Sequence, residues 1–480
     1  MKKTNGEFIQ IWRLGCFFLL IVITISTVVY YTHLKNKQHS QMISDLGGAV
    51  LEVASTIPAD ITFMIVDLKY SQKHGVKICE VQPGSLSVFS AHDFIHNGYG
   101  LIPKMFSKLI ARYQQNGWYI VPHLSDDKFK IILSQENWKP EKNLETLIAD
   151  SDFIRLAQKP VKDPSDLREY HGMVYANYWK SISLADFRAR YPGILIIDGA
   201  IFPYIGDKFK MSNLFATDER LRNLKPMWKA YPKTPSKKLV DTILHDIHSE
   251  LLVIKPIKST KGNGVLIVKR DELESTLQYI FSDSKGELRE NPDHSYNYWA
   301  RDKCPHFIVE EFIESDPVRA PLFNNQQYDG TMRIVLALIY NQNVMDAVLF
   351  EGHWKLPRKS LSEEGNPTDK HKSVALDNND LSVDRDTLRQ VWDQLREPLL
   401  VLYQQMLTRG VIQHQVGDFK LSQGLNEPGR DRCTGFSFIR IDMIVARHNK
   451  DCTLLLRPHT LSDKSYKLSL PLWKGIIDSF

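Results

Sequence analysis

The chain has 480 residues, 43% of them hydrophobic and 24% charged, which is enough for two or three packed domains. Its formal net charge is +5, but Lys2, Lys3, Arg13, Lys35 and Lys37, less Glu7, account for +4 of that. The body beyond residue 40 is nearly neutral, so it lacks the electrostatic footprint of a nucleic-acid binder, and no nucleic-acid partner is expected.

The first predicted element is the uncharged stretch from Leu14 to Tyr31, long enough to cross a bilayer as a helix. Tyr30 and Tyr31 would lie at an interface, where aromatic rings are enriched. A cleaved signal peptide fits less well, because its apolar region is usually shorter and no small-x-small cleavage site follows. Residues 1–35 are therefore read as a tail and transmembrane anchor, with membrane contact through 14–31, and 36–57 as a polar stalk. Balanced flanking charges leave the orientation open. Cys16, Cys79, Cys304, Cys433 and Cys452 match neither a zinc motif nor a disulfide framework and read as reduced thiols.

From Ile61 a layered α/β pattern predicts a domain over 58–210. Strands are expected at 61–66, 76–81, 118–121, 131–133 and 194–197, with a helix over 102–115 whose apolar residues share one face. Asp67, Lys69, Lys77, Glu80, His92 and Asp93 could serve a substrate site, but each is more simply a solvated loop residue. A helical connector is expected over 211–235, with Lys225 among its basic residues. Two apolar runs within 252–269 then flank the polar loop Ser259-Thr260-Lys261-Gly262-Asn263-Gly264, which predicts a hairpin. A helix over 271–281 with Asp271 as N-cap follows, then an exposed insertion over 282–303. The strand 306–309 runs into Glu310-Glu311-Phe312-Ile313. Another hairpin is expected over 331–350 about Asn341-Gln342-Asn343. A polar loop at 363–380, a helix over 386–409 containing Pro398, and a strand pair at 436–446 and 453–456 complete the reading.

The chemistry concentrates in three segments. Glycines in the loop after Lys255-Pro256 leave room for a polyphosphate, and lysines supply positive charge. Neither a Walker loop nor a dinucleotide fingerprint is present. Taken with Glu310–Ile313 and with Asp329-Gly330-Thr331-Met332-Arg333, the hairpin resembles the lid of the ATP-grasp superfamily, which includes D-alanine–D-alanine ligase, glutathione synthetase and tubulin-ligase-like enzymes. The resemblance implies an α/β (α+β) fold, with an α/β pre-ATP-grasp domain ahead of a two-lobed ATP-grasp domain made of a lid over 211–310 and a core over 311–480. It implies ATP and Mg2+ as cofactors. Lys255, Lys261, Gly262, Asn263, Gly264 and Val265 would hold and cover phosphates, with Lys225 as a further candidate, while Glu310, Glu311, Phe312 and Ile313 would hold adenine. Arg333 would face the transferred phosphate, as a guanidinium can hold two of its oxygens, and Lys355 would reach a substrate carboxylate or phosphate.

For magnesium the family uses an acid on a late strand and a Glu-x-Asn pair on its partner. Asp442 takes the first place, whereas Leu455 and Arg457 stand where the pair should be. The implied reaction joins a small-molecule or peptide carboxylate to an amine through an acyl-phosphate, with the body on the cytoplasmic side. A degenerate nucleotide- or partner-binding protein and an ATP-grasp kinase remain alternatives. All three readings require the glycine turn, Glu311 and Arg333 to meet at one cleft.

Overall fold

The computed structural model describes residues 51–52, 57–84, 95, 100–114, 116–120, 138–176, 184–260, 262–281, 285–374 and 380–422. The expected anchor at 14–31, most of the stalk, the expected strand at 131–133 and the late strand pair carrying Asp442 lie outside them. Among the described residues no helix is long and apolar enough to cross a membrane.

Six antiparallel strands form the central sheet. Along its main path the order is Leu51–Glu52, Val344–Lys355, Thr331–Asn341, Asp60–Ser71 and Gly75–Pro83, and Asp380–Ser382 pairs beside Val344–Lys355. Asp60–Ser71 is buried along its whole length, as expected of a strand covered on both faces. Its alternate residues Met64, Val66 and Leu68 join Met332, Ile334, Leu336 and Leu338 against Trp392, Leu395, Leu399 and Tyr403 of the helix Arg385–Ser422. That helix runs on through Pro398. On the opposite face Ile61 and Phe63 join Val335, Ala337 and Ile339 under Phe106 of the helix Leu101–Ile110.

This arrangement corrects the expected 58–210 domain. Its first two strands belong to the central sheet, where Asp60–Ser71 pairs with Thr331–Asn341. What stays separate is a parallel four-stranded sheet of Trp138–Glu141, Gly117–Ile120, Gly172–Ala176 and Ile194–Ile196. Leu147, Phe153 and Phe187 pack beneath its Trp118.

The lid is an antiparallel sheet in the order Leu266–Lys269, Leu251–Pro256, His306–Glu311 and Trp228–Pro232. The predicted hairpin is present, but Trp228–Pro232 is a strand where a helical connector was expected. Leu252, Ile254, Leu266, Val268, Phe307 and Val309 face the lid helices Lys237–Asp246 and Leu273–Phe281. The expected exposed insertion also changes character. It forms the helices Lys285–Glu290 and His294–Trp299, whose Leu288 and Trp299 are buried in the lid core. Burying each large apolar side chain contributes about 1.5–3 kcal/mol, so two anchors suffice to dock a polar segment. Asp271 lies within the 3-10 turn Arg270–Glu272 rather than capping the helix.

Candidate active site

Strand periodicity builds the cleft. In the lid sheet, residues two apart share a face. Leu252 and Ile254 point into the lid core, so Val253 and Lys255 face the other way, with Ile308 and Glu310 opposite them. In the central sheet the same rule puts Thr331 and Arg333 on the face of Asp67 and Lys69. Between these two faces lies a cleft enclosing about 880 Å³ of atom-free space, part of it open to solvent. Lys255, Gly262, Val265, Glu310, Glu311, Phe312, Ile313, Arg333 and Lys355 all line it. Asn263 and Gly264 complete the turn at its lid edge, and Lys261 lies outside the described residues.

The turn is tightly specified. Gly262 and Gly264 have φ of 68° and 74°, in the left-handed region that favours glycine. A Cβ on Gly264 would come within 2.4 Å of Pro256 and 2.9 Å of Tyr298. Trp299 Nε1 donates to the Gly264 carbonyl at 3.0 Å, and the Tyr298 hydroxyl donates to the Lys258 carbonyl. The segment expected to be an exposed insertion therefore props up the glycine turn.

At the lid side Glu310 is buried between two lysines. Its carboxylate lies 2.5 Å from Lys255 Nζ and 2.7 Å from Lys225 Nζ, and both ammonium groups also reach the Cys79 carbonyl at 3.4 Å. Burial alone would raise the Glu310 pKa, but the two lysines hold it below the usual range. Burial lowers the Lys225 pKa; it acts in the same sense on Lys255, yet Glu310 brings that group above its ordinary value. The cluster carries one uncompensated positive charge. Glu310, expected at the adenine, thus sits among the phosphate-binding candidates. Glu311 ties the hinge, since its carboxylate accepts from Met227 N at 2.8 Å and its own N–H donates to the Met227 carbonyl at 2.9 Å. Phe312 and Ile313 supply the apolar wall.

On the floor, Arg333 grips Asp67 with two hydrogen bonds of 2.7 Å. Burial would raise the Asp67 pKa, but Arg333 and then Lys355 outweigh it and hold the group at about 2. Lys355, 8% exposed, has its own pKa lowered by burial and by Arg333. Lys69 lies 2.8 Å from Asp329, which also meets His371 Nδ1 at 2.9 Å, and the His371 ring packs edge-on to Phe312 at 4.7 Å. Lys372 reaches the lid through Ser295 Oγ at 2.6 Å. One helical turn earlier, Thr368 Oγ1 accepts from Ile267 N at 2.9 Å and donates to its carbonyl at 3.1 Å, strapping the lid edge to the core. Six cationic side chains (Lys69, Lys208, Lys255, Arg333, Lys355 and Lys372) line the cleft against four acidic ones (Asp67, Glu80, Glu310 and Glu311), an excess that suits a polyanionic ligand.

Asp67, Lys69 and Glu80, read as solvated loop residues, are strand residues of this floor. Lys77 instead donates to the Asn223 carbonyl at 2.7 Å away from the cleft, and His92 and Asp93 lie outside the described residues. The sequence carried a signal for the acids. Asp67 on one strand is followed on its antiparallel partner by Glu80-Val81-Gln82-Pro83-Gly84, a Glu-x-Gln pair of the kind sought late in the chain. Asp67 and Glu80 are paired in register, and Gln82 Nε2 lies 3.1 Å from Asp67 Oδ2 and 3.4 Å from Glu80 Oε2. Among the described residues no group of three or more His, Cys, Asp or Glu could hold a metal ion. Two carboxylates nevertheless give Mg2+ the hard donors it prefers, and the Gln82 amide, which turns its nitrogen toward them, would add an oxygen on rotation, with water and substrate phosphates as the remaining ligands. Asp442 lies outside the described residues.

No protein-family model matches the sequence, and no curated protein does. Among the solved structures distantly similar to the chain are three synthetases and ligases. One is a Methylobacillus flagellatus protein assigned as a gamma-glutamylcysteine synthetase, 10% identical, with a TM-score of 0.38 over 79% of this chain and 94% of the other. The D-cycloserine synthetase DcsG is 11% identical, with a TM-score of 0.32 over 61% and 81%. The D-alanine–D-alanine ligase of Coxiella burnetii is 8% identical, with a TM-score of 0.25 over 64% and 100%.

Proposed function

We propose that this protein is an ATP-dependent carboxylate–amine ligase of the ATP-grasp type. The observation that carries the reading is the convergence of the lid turn, the Glu310–Ile313 hinge and Arg333 on one cleft with an excess of cationic side chains. Lys225 and Lys255 would take the phosphates, the turn at Gly262–Gly264 would cover them, and Phe312 and Ile313 would pack on the base. Arg333 and Lys355 would face the group in transfer. The γ-phosphoryl group passes to a carboxylate oxygen and ADP leaves; the amine then attacks the acyl carbon, loses a proton and expels phosphate.

Asp67, Glu80 and Gln82 would hold Mg2+, which would supply neutralisation of the phosphate charge. The uncharged stretch at 14–31 supports a single-pass anchor, and use of ATP would require the body on the cytoplasmic side. Deletion of residues 1–35 should then release the protein from carbonate-washed membranes, and retention after deletion would reject the anchor.

The test is nucleotide-dependent phosphate release by the full chain over a panel of acids and amines. Lys255→Ala should lower it about 10²–10³-fold, the usual loss on removing one group that stabilises developing charge. Undiminished release by that variant rejects the phosphate site. Thermal stabilisation by Mg-ATP without release would favour a nucleotide-binding protein that does not turn over, and a phosphorylated hydroxyl product would favour a kinase.

A further inference from the structure

The corner formed by Asp67, Glu80 and Gln82 offers oxygen donors to a cation, yet the protein's own donors occupy them. Both oxygens of Asp67 are engaged by Arg333, Nε to Oδ1 and Nη2 to Oδ2, at 2.7 Å each. Glu80 Oε1 lies 3.3 Å from Lys208 Nζ. The Gln82 amide turns its nitrogen, not its oxygen, toward the two carboxylates. Lys69, Lys255 and Lys355 line the same cleft. Lys355 is 8% exposed and feels the carboxylates of Asp67, Asp380 and Glu80 as well as the Arg333 guanidinium. A bare divalent ion entering this corner would have to displace a bidentate guanidinium while facing several ammonium groups.

We propose that the metal corner is held closed by Arg333 and Lys208 and opens to a divalent ion only when a polyphosphate arrives with it. The proposal rests on the ligase reading of the cleft and adds an order of events that the reading does not contain. A polyphosphate supplies what Arg333 would lose. The planar fork that grips two carboxylate oxygens can grip two phosphate oxygens with the same geometry. Transfer of Arg333 from Asp67 to phosphate frees the carboxylate, and transfer of Lys208 frees Glu80. Rotation of the Gln82 amide then turns its oxygen to the ion, because the amide orientation follows its hydrogen-bond partners. Arg333 thereby becomes the element that couples nucleotide occupancy to metal occupancy, and the coupling is reciprocal: metal must tighten nucleotide binding by the same factor.

The experiment is a titration with Mn2+ followed by its electron paramagnetic resonance signal, which reads binding without any turnover. Full-length wild type, Arg333→Gln and Lys208→Gln are compared with and without a non-hydrolysable ATP analogue. Wild type with the analogue should bind Mn2+ at least about tenfold more tightly than either wild type alone or the free analogue does, within the range typical of coupled sites. Each variant should gain affinity for Mn2+ alone, and Lys208→Gln keeps the test open if Arg333→Gln does not fold. Equal Mn2+ affinity of wild type with and without the analogue would overturn the proposal, as would unchanged affinity for Mn2+ alone in both variants. Absence of Mn2+ binding by every protein, analogue present, would instead remove the metal corner and the proposal with it. Analogue binding by thermal shift in that case would leave the nucleotide cleft standing.

Discussion

The two ends of the central sheet share strands, pairing and a face, yet they are built for different purposes. Ile61, Phe63, Val335, Ala337 and Ile339 sit at one end beneath the helix Leu101–Ile110, closely packed and apolar. A few residues along the same strands, on the same face, stand Asp67, Lys69, Thr331 and Arg333. Along Asp60–Ser71 and Thr331–Asn341 the alternation of two continues, although their outer partners are bulged opposite Val335/Leu336 and Asp67/Leu68, and the cover above the sheet changes. Where the helix layer ends and the cleft begins, apolar residues give way to charges that must be paired with one another. Charge on an otherwise apolar strand therefore marks the border between packing and binding.

Substitutions at the two ends should separate those purposes. The largest stability loss is expected at the packed end, where Phe63→Ala should cost about 3–5 kcal/mol in a denaturant titration. A loss below about 1 kcal/mol would show that the layer is loosely packed. Next comes acid. Because Asp67 is held at about 2 against an ordinary 3.8, the stability it confers is complete above about pH 4 and disappears as pH falls through about 2. That contribution amounts to about 2 kcal/mol, and the stability difference between wild type and Arg333→Met should narrow across the same range. An unchanged difference would mean that Arg333 is not what lowers the carboxyl.

Third, the double variant Asp67→Leu with Arg333→Met should stay within about 1–2 kcal/mol of wild type, because a buried ion pair replaced as a unit by apolar groups is often nearly neutral. Nucleotide-dependent phosphate release should nevertheless disappear. Retained release would assign the pair to architecture. The smallest effect belongs to the strap: Thr368→Val should cost about 1 kcal/mol through its lost hydrogen bonds. It should also speed hydrogen exchange at the Ile267 amide, and unchanged exchange there would mean that the strap does not hold the lid edge.

Legibility in the sequence follows the range of the interactions. The lid hairpin, the strand 306–311 and the turn at Asn341-Gln342-Asn343 were readable because each is local. Gln342 and Asn343 take φ of 49° and 66°, as a tight hairpin turn demands. The place of Asp60–Ser71 was not readable, because no local pattern says which strand it joins; its Asp67 meets Arg333 across 266 residues. Trp228–Pro232 is too short for its alternation to declare itself, and Leu288 and Trp299 are sparse anchors in polar surroundings. Asp67 and the Glu80-x-Gln82 pair stand plainly in the sequence, but the resemblance implied a metal pair at the far end of the chain. For the candidate site, then, Lys255, Lys355, the hinge and Arg333 were expected from the sequence, whereas Lys69, Lys208, Lys372 and the acidic partners enter the cleft through long-range pairing.

That pairing bears on biosynthesis. The segments Asp60–Ser71 and Gly75–Pro83 leave the ribosome early, with Met64, Val66 and Leu68 needing a neighbour still to be made. At about 5–20 residues per second, the partner strand follows roughly 13–50 s later. During that interval the nascent chain carries an apolar ribbon with an unsatisfied edge, a substrate for holding chaperones and the point at which two growing copies could wrongly join.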